Sequence, residues 1–205
     1  MYAARSEAPR GNNGMLINLP NYLTYGRIAL IPLLVATFYF PGDLADWLAL
    51  GIFALAGITD FFDGYLARAM RSQSALGAML DPIADKLLVG AAIIMLVYSR
   101  RIDGLHVLPA VIILCREFLV SGLREFLAAV KVRMPVSLLA KWKTMGQMVA
   151  LGFLLAGEAG DKVVWMNHEI GIAGLWIAAI LTLYTGYDYL RAGLRHASGP
   201  AEEQA

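Results

Sequence analysis

The sequence predicts an all-α integral membrane bundle of six transmembrane helices, and three observations carry that prediction. Its 205 residues are 59% hydrophobic and only 16% charged, whereas soluble domains run about 45–50% apolar and roughly 25% charged. The apolar residues fall in blocks of about 20, the length that crosses a hydrocarbon layer. The blocks are continuous rather than alternating, which favours helices over strands in a setting where every backbone polar group must be satisfied internally.

In chain order, residues 1–14 are polar and rich in Gly, Asn and Arg, and they read as a disordered leader. The apolar run Ile28–Phe40 has no small-x-small cleavage site after it, so a signal peptide is not expected; Met15 is an alternative start. A short segment, Met15–Pro20, is expected along the membrane interface. The six spans follow at Tyr22–Phe40, Ala45–Ala69, Leu76–Tyr98, Leu105–Val130, Leu138–Gly157 and Ile170–Leu190. Pro82 lacks an N–H and disfavours helical geometry before it, so a bend or a helix start is expected near Asp81-Pro82. Residues 15–197 are expected to form a single membrane domain carrying whatever chemistry the chain performs, and residues 198–205 a polar, flexible tail.

Orientation follows the lysines and arginines. With the N-terminus in the cytoplasm, the inner side carries Arg5, Arg10, Arg68, Arg71, Lys131, Arg133, Lys141, Lys143, Arg191 and Arg195. The outer loops carry Arg100, Arg101 and Lys162. This predicts a multi-pass protein of the inner or plasma membrane, with its functional end cytoplasmic. The single cysteine, Cys115, excludes a disulfide framework and reads as a buried, inert thiol. His106, His168 and His196 read as interfacial residues.

The carboxylates at the inner ends of spans two and three stand out, because charge near a membrane core is costly and usually functional. Asp60, Asp63, Gly64, Ala67 and Arg68 share one helical face, and Gly77, Asp81 and Asp85 share a face of the next helix. The short linker folds the two helices antiparallel, so four carboxylates converge. Together they need a compensating cation. Oxygen ligands without His or Cys favour Mg²⁺, Mn²⁺ or Ca²⁺, with substrate phosphates completing the shell. Gly64 and Ala67 remove bulk beside the acids. Two other readings stay open: acids satisfied by capping and ion pairs, or a cation or proton path.

The run D-x2-D-G-x2-A-R-x8-G-x3-D-x3-D, from Asp60 to Asp85, resembles the signature of the CDP-alcohol phosphatidyltransferase family at all eight of its defined positions. The six-span layout resembles that family over nearly the whole chain. The resemblance implies a CDP-alcohol phosphatidyltransferase-like fold, a cytidine diphosphate lipid donor and release of CMP. It implies Asp60, Asp63 and Asp81 as ligands of two Mg²⁺ or Mn²⁺ ions. Asp85 completes the acidic set and is implied as general base. Gly64, Ala67, Arg68 and Gly77 are implied to line the CDP pocket. General chemistry agrees: phosphoryl transfer needs positioning and charge neutralisation more than covalent help.

Arg116-Glu117 and Arg124-Glu125 interrupt the fourth apolar run, and Lys141 and Lys143 open the fifth. Four cations near the inner boundary point to an anionic acceptor; mutual pairing with the glutamates is the plainer alternative. Arg116–Glu125, Lys141–Thr144 and Asn18–Arg27 resemble the branch of the family that uses sn-glycerol 3-phosphate. Asn21, Thr24 and Arg27 either reach the donor head group or cap and anchor the first span. The expected partners are CDP-diacylglycerol, sn-glycerol 3-phosphate and the bilayer, with no nucleic acid; a homodimer is open to it. Competing readings are another acceptor (inositol phosphate, phosphatidylglycerol or serine) and a small cation or proton transporter. CMP release separates the enzyme from the transporter.

Overall fold

The computed structural model describes residues 14–70, 75–129 and 138–197. The leader up to residue 13 and the tail from residue 198 lie outside the described residues. Among the described residues there are α-helices and one 3-10 turn, with no strand. The helices are α1 Gly14–Thr37, α2 Asp43–Met70, α3 Ala75–Tyr98, α4 Val107–Ala129, α5 Leu138–Asp161 and α6 Asn167–Ala197; the turn is Gly104–His106.

Three local expectations are corrected. Met15–Pro20 is not a separate interfacial segment but part of α1, which runs unbroken from Gly14. Its Leu16, Ile17 and Leu19 extend the apolar run, and helix is the state that keeps backbone groups satisfied away from water. Of the bend or helix start expected near Asp81-Pro82, the helix start is corrected: α3 begins at Ala75 and carries Pro82 inside it. Lys86 Nζ donates to the Pro82 carbonyl at 2.8 Å, one turn on. Cys115 is exposed rather than buried, because it falls on the outward face of α4, among Val111, Phe118 and Leu119.

α1 packs along α2 and α3, α5 packs between α2 and α6, and α4 lies against α6. The core holds Leu88, Ala92 and Leu96 of α3 together with Phe53, Ile113, Leu151, Leu155 and Leu175. Small residues let α5 and α6 approach closely. A Cβ on Gly171 would sit 2.8 Å from Leu154, and one on Gly174 would sit 2.9 Å from Ala150. This is the packing expected where dispersion rather than water exclusion joins helices.

The outward faces are apolar on every helix, with Leu33, Leu48, Ile94, Leu119, Trp142 and Ile180 all exposed. So much exposed apolar surface is foreign to a soluble monomer and suits contact with lipid. Gly104–Ala128 and Asn167–Tyr187 are each long and apolar enough to cross a membrane, and Thr24–Thr37 is a shorter apolar helix. Tyr39, Phe40, Tyr98 and Trp165 cluster at one end, with Trp165 86% exposed. The amphipathic rings of tyrosine and tryptophan favour a membrane–water boundary.

That end is held by an interrupted helix. α5 breaks at Gly157, whose φ of 50° and ψ of −141° lie outside helical geometry in a region open to glycine alone. The carbonyls the break releases are taken up by side chains from other elements. Arg101 donates to Leu155 O at 2.9 Å, and Asn167 Nδ2 donates to Phe153 O at 2.9 Å. Arg101 also pairs with Asp46 and lies over the Phe38 ring at 5.5 Å.

Candidate active site

The other end of the bundle gathers a second set of charged residues. Asp60 of α2, Asp85 of α3, and Arg116, Glu117, Arg124 and Glu125 of α4 line one cavity of about 1400 Å³. The cavity is elongated. From Asp60 it runs along α2 and α5 past Gly57, Ala54, Gly152 and Ala156 to Trp47 and Gly160. Its floor is therefore ionic and its long arm apolar. Small residues make the arm: a full side chain at Gly57 would meet Met148, 2.9 Å from where its Cβ would stand.

Asp60 does not stand alone. Arg27 of α1 approaches it at 2.7 Å, with Arg27 1% exposed and Asp60 42% exposed. Thr24, one turn earlier on α1, is also buried. Apart from the buried Thr24 and Lys143, the sequence-predicted residues divide into two groups. Asp60, Asp85, Arg116 and Arg124 meet at the cavity. The side chains of Asn21, Asp63, Gly64, Ala67, Arg68, Gly77, Asp81 and Lys141 lie outside the described residues. The backbone nevertheless puts Asp63 and Gly64 one turn beyond Asp60 on α2, and Asp81 one turn before Asp85 on α3.

Lys143 is placed differently from the cavity-lining arginines. It is 1% exposed and ion-paired with Glu117, behind the cavity wall. Arg116 Nη1 stands 3.6 Å from the same Glu117 oxygen. Arg116 Nη2 donates to Thr185 Oγ1 of α6 at 2.9 Å. Neither the Arg27–Asp60 contact nor the Arg116–Thr185 contact was visible in sequence. The partners are 33 and 69 positions apart, and no local period marks them.

Among the described residues no group of three or more His, Cys, Asp or Glu is gathered to hold a metal ion; the two signature carboxylates that line the cavity, Asp60 and Asp85, are hard oxygen donors of the kind that suit a divalent cation. The arginines on the opposite wall suit a phosphate. A floor of this kind below an apolar arm fits a lipid with a phosphorylated head group. The model of the CDP-alcohol phosphatidyltransferase family matches residues 17–184.

The chain belongs to the CDP-alcohol phosphatidyltransferase family.

Within that family it resembles enzymes named CDP-diacylglycerol–glycerol-3-phosphate 3-phosphatidyltransferase. It is 55% identical to the one from Rickettsia bellii over 175 residues, covering 85% of this chain and 94% of the relative. It is 40% identical to the one from Cereibacter sphaeroides over 211 residues, covering 86% and 96%. A plant relative from Oryza sativa, named cardiolipin synthase (CMP-forming), is 39% identical over 202 residues, covering 92% of this chain and 61% of the relative. The chain is thus a membrane-bound phosphatidyltransferase.

Proposed function

We propose that the chain transfers the phosphatidyl group of CDP-diacylglycerol to sn-glycerol 3-phosphate, giving phosphatidylglycerol phosphate and CMP. The observation that carries this reading is one cavity joining an acidic patch (Asp60, Asp85), a cationic wall (Arg116, Arg124) and an apolar arm, in a chain that matches relatives of that name over most of its length. The apolar arm along α2 and α5 takes the donor's acyl chains. Gly64, Ala67, Arg68 and Gly77 border the cytidine diphosphate, with Asn21 and Thr24 at its edge.

Asp60, Asp63 and Asp81 are the residues that would hold divalent metal, two Mg²⁺ or Mn²⁺ ions, with Asp85 completing the acidic set beside them; the metal would neutralise the donor pyrophosphate. Arg27 keeps Asp60 turned into the cavity. The acceptor phosphate is held by Arg116 and Arg124, with Lys141 and Lys143 completing the cationic side, Lys143 through Glu117. This grip brings the acceptor hydroxyl beside Asp85. Its oxygen attacks the phosphatidyl phosphorus and its proton passes to the Asp85 carboxylate. The bond from that phosphorus to the bridging oxygen breaks, and CMP leaves with the electron pair.

The same reading has all six helices crossing the bilayer, with the N-terminus and the site on the cytoplasmic face. The aromatic residues near Trp165 then sit at the outer boundary, as the distribution of lysine and arginine requires.

The deciding experiment incubates purified protein with CDP-diacylglycerol and, separately, sn-glycerol 3-phosphate, inositol phosphate, phosphatidylglycerol, serine or glycerol. CMP and a phosphorylated lipid are expected with sn-glycerol 3-phosphate. Faster turnover with another acceptor reassigns the acceptor. No CMP release with any acceptor rejects transferase chemistry and leaves the transport reading.

A further inference from the structure

α6 carries none of the acidic signature, yet it touches the cationic wall at Arg116, and the contact is specific. Tyr184 and Tyr187 face outward and are exposed, whereas Thr182 and Thr185 of the same stretch are buried. Thr185 gives its own proton to Leu181 O at 2.9 Å, one turn back on α6. Its hydroxyl is therefore already satisfied as a donor, and a valine would fill the same volume. What the hydroxyl adds is a lone pair, and Arg116 Nη2 donates to it at 2.9 Å.

The neighbouring position is matched to the same arginine. A Cβ on Gly186 would lie 3.2 Å from Arg116 Cγ and 3.5 Å from Nε. The stem of Arg116 thus runs across Gly186, and its tip ends on Thr185. Glu117, held by Lys143, borders the other nitrogen of the fork. An arginine aims its fork only when its long stem is immobilised, and here both stem and tip are held by one turn of α6.

We propose that Thr185 and Gly186 are positioning residues that aim Arg116 at the acceptor phosphate, so that α6 sets the preference for a phosphorylated acceptor over an uncharged alcohol. This rests on the reading of Arg116 as an acceptor-phosphate cation. The two residues act through Arg116 and touch neither substrate.

The test measures KM for sn-glycerol 3-phosphate and for CDP-diacylglycerol in Thr185→Val, Thr185→Ser, Gly186→Ala, Arg116→Ala and Arg116→Lys. Thr185→Val is expected to raise the acceptor KM about tenfold, the scale of one hydrogen bond to a charged group, with the donor KM unchanged. Thr185→Ser should restore it, and Gly186→Ala should match Thr185→Val. Thr185→Val should add little in the Arg116→Lys background, since the fork it served is gone. If Arg116→Ala raises the acceptor KM while Thr185→Val and Gly186→Ala use the acceptor normally, the positioning role is overturned and the reading of Arg116 stands. If Arg116→Ala, or Arg116→Lys should the alanine variant not fold, leaves the acceptor KM unchanged, the reading of Arg116 falls and the positioning role with it. Equal changes in donor and acceptor KM in Thr185→Val that the serine does not rescue assign Thr185 a packing role only and overturn the proposal.

Discussion

Arg27 of α1 and Asp60 of α2 meet at 2.7 Å, the arginine buried and the carboxylate half-exposed in the cavity. The contact joins two helices at the point where the acidic signature begins, and it limits how Asp60 can turn. Removing the guanidinium lets Asp60 swing toward water. Arg27→Met is expected to lower kcat at least tenfold, about the weight of one charged hydrogen bond, while the protein still elutes as a folded species in detergent. CMP release read beside size-exclusion chromatography checks this. Normal turnover in Arg27→Met would show that Asp60 needs no such support.

Asp60→Asn, Asp63→Asn and Asp81→Asn are each expected to abolish turnover and weaken binding of Mn²⁺, followed by its paramagnetic signal. Asp85→Asn should keep donor and Mn²⁺ binding and lose rate, because a carboxamide cannot accept the hydroxyl proton. Chelation with EDTA should stop the reaction, and added Mg²⁺ or Mn²⁺ should restore it. Activity that survives exhaustive chelation removes metal from the mechanism.

Lys143 distinguishes direct from indirect service to the acceptor. It is buried against Glu117, so Lys143→Met leaves a carboxylate short of its partner in a poorly hydrated wall. That variant is expected to melt several degrees lower, and Lys143→Met/Glu117→Leu to recover most of the loss, because removing a buried pair together costs less than breaking it. Thermal unfolding in detergent measures both. A raised acceptor KM at unchanged melting temperature would instead mean that Lys143 reaches the phosphate itself.

Gly157 and Arg101 are expected to govern stability without touching chemistry. Gly157 holds a positive φ with the Arg101 guanidinium against it, so Gly157→Ala meets both backbone strain and a clash. Strain of this kind costs about 1–3 kcal/mol. Arg101→Met should destabilise comparably by leaving the Leu155 carbonyl unserved in an apolar setting. Both variants should keep the wild-type acceptor and donor KM at temperatures below their melting point. A change in acceptor KM would couple this end of the bundle to the site.

Six helical segments were legible because continuous apolar runs admit little else in lipid, and α2, α3 and α5 start within two residues of their expected positions. The errors came where local rules met tertiary packing. Pro82 read as a bend or a helix start, and the helix start is overturned, because α3 begins at Ala75 and runs through it. Cys115 read as buried from its apolar neighbours, but outward and inward faces of a lipid-facing helix are equally apolar, so composition does not tell them apart. Acidic Asp60 and Asp85 and basic Arg116 and Arg124 were legible by period and by the cost of charge in an apolar run, and one cavity receives all four.

The sequence by itself determined the helical class, the apolar spans and the carboxylate signature, since these depend on residue spacing within single helices. Only the tertiary structure decided which charges face the cavity and which are consumed by neighbours. Arg27 goes to Asp60, Lys143 to Glu117, and Arg116 lies across Gly186 to reach Thr185. Each of these pairings joins different helices. Their existence depends on how α1, α2, α4, α5 and α6 are rotated about their axes, and that rotation is set by side-chain packing across the whole bundle rather than by any local run of residues.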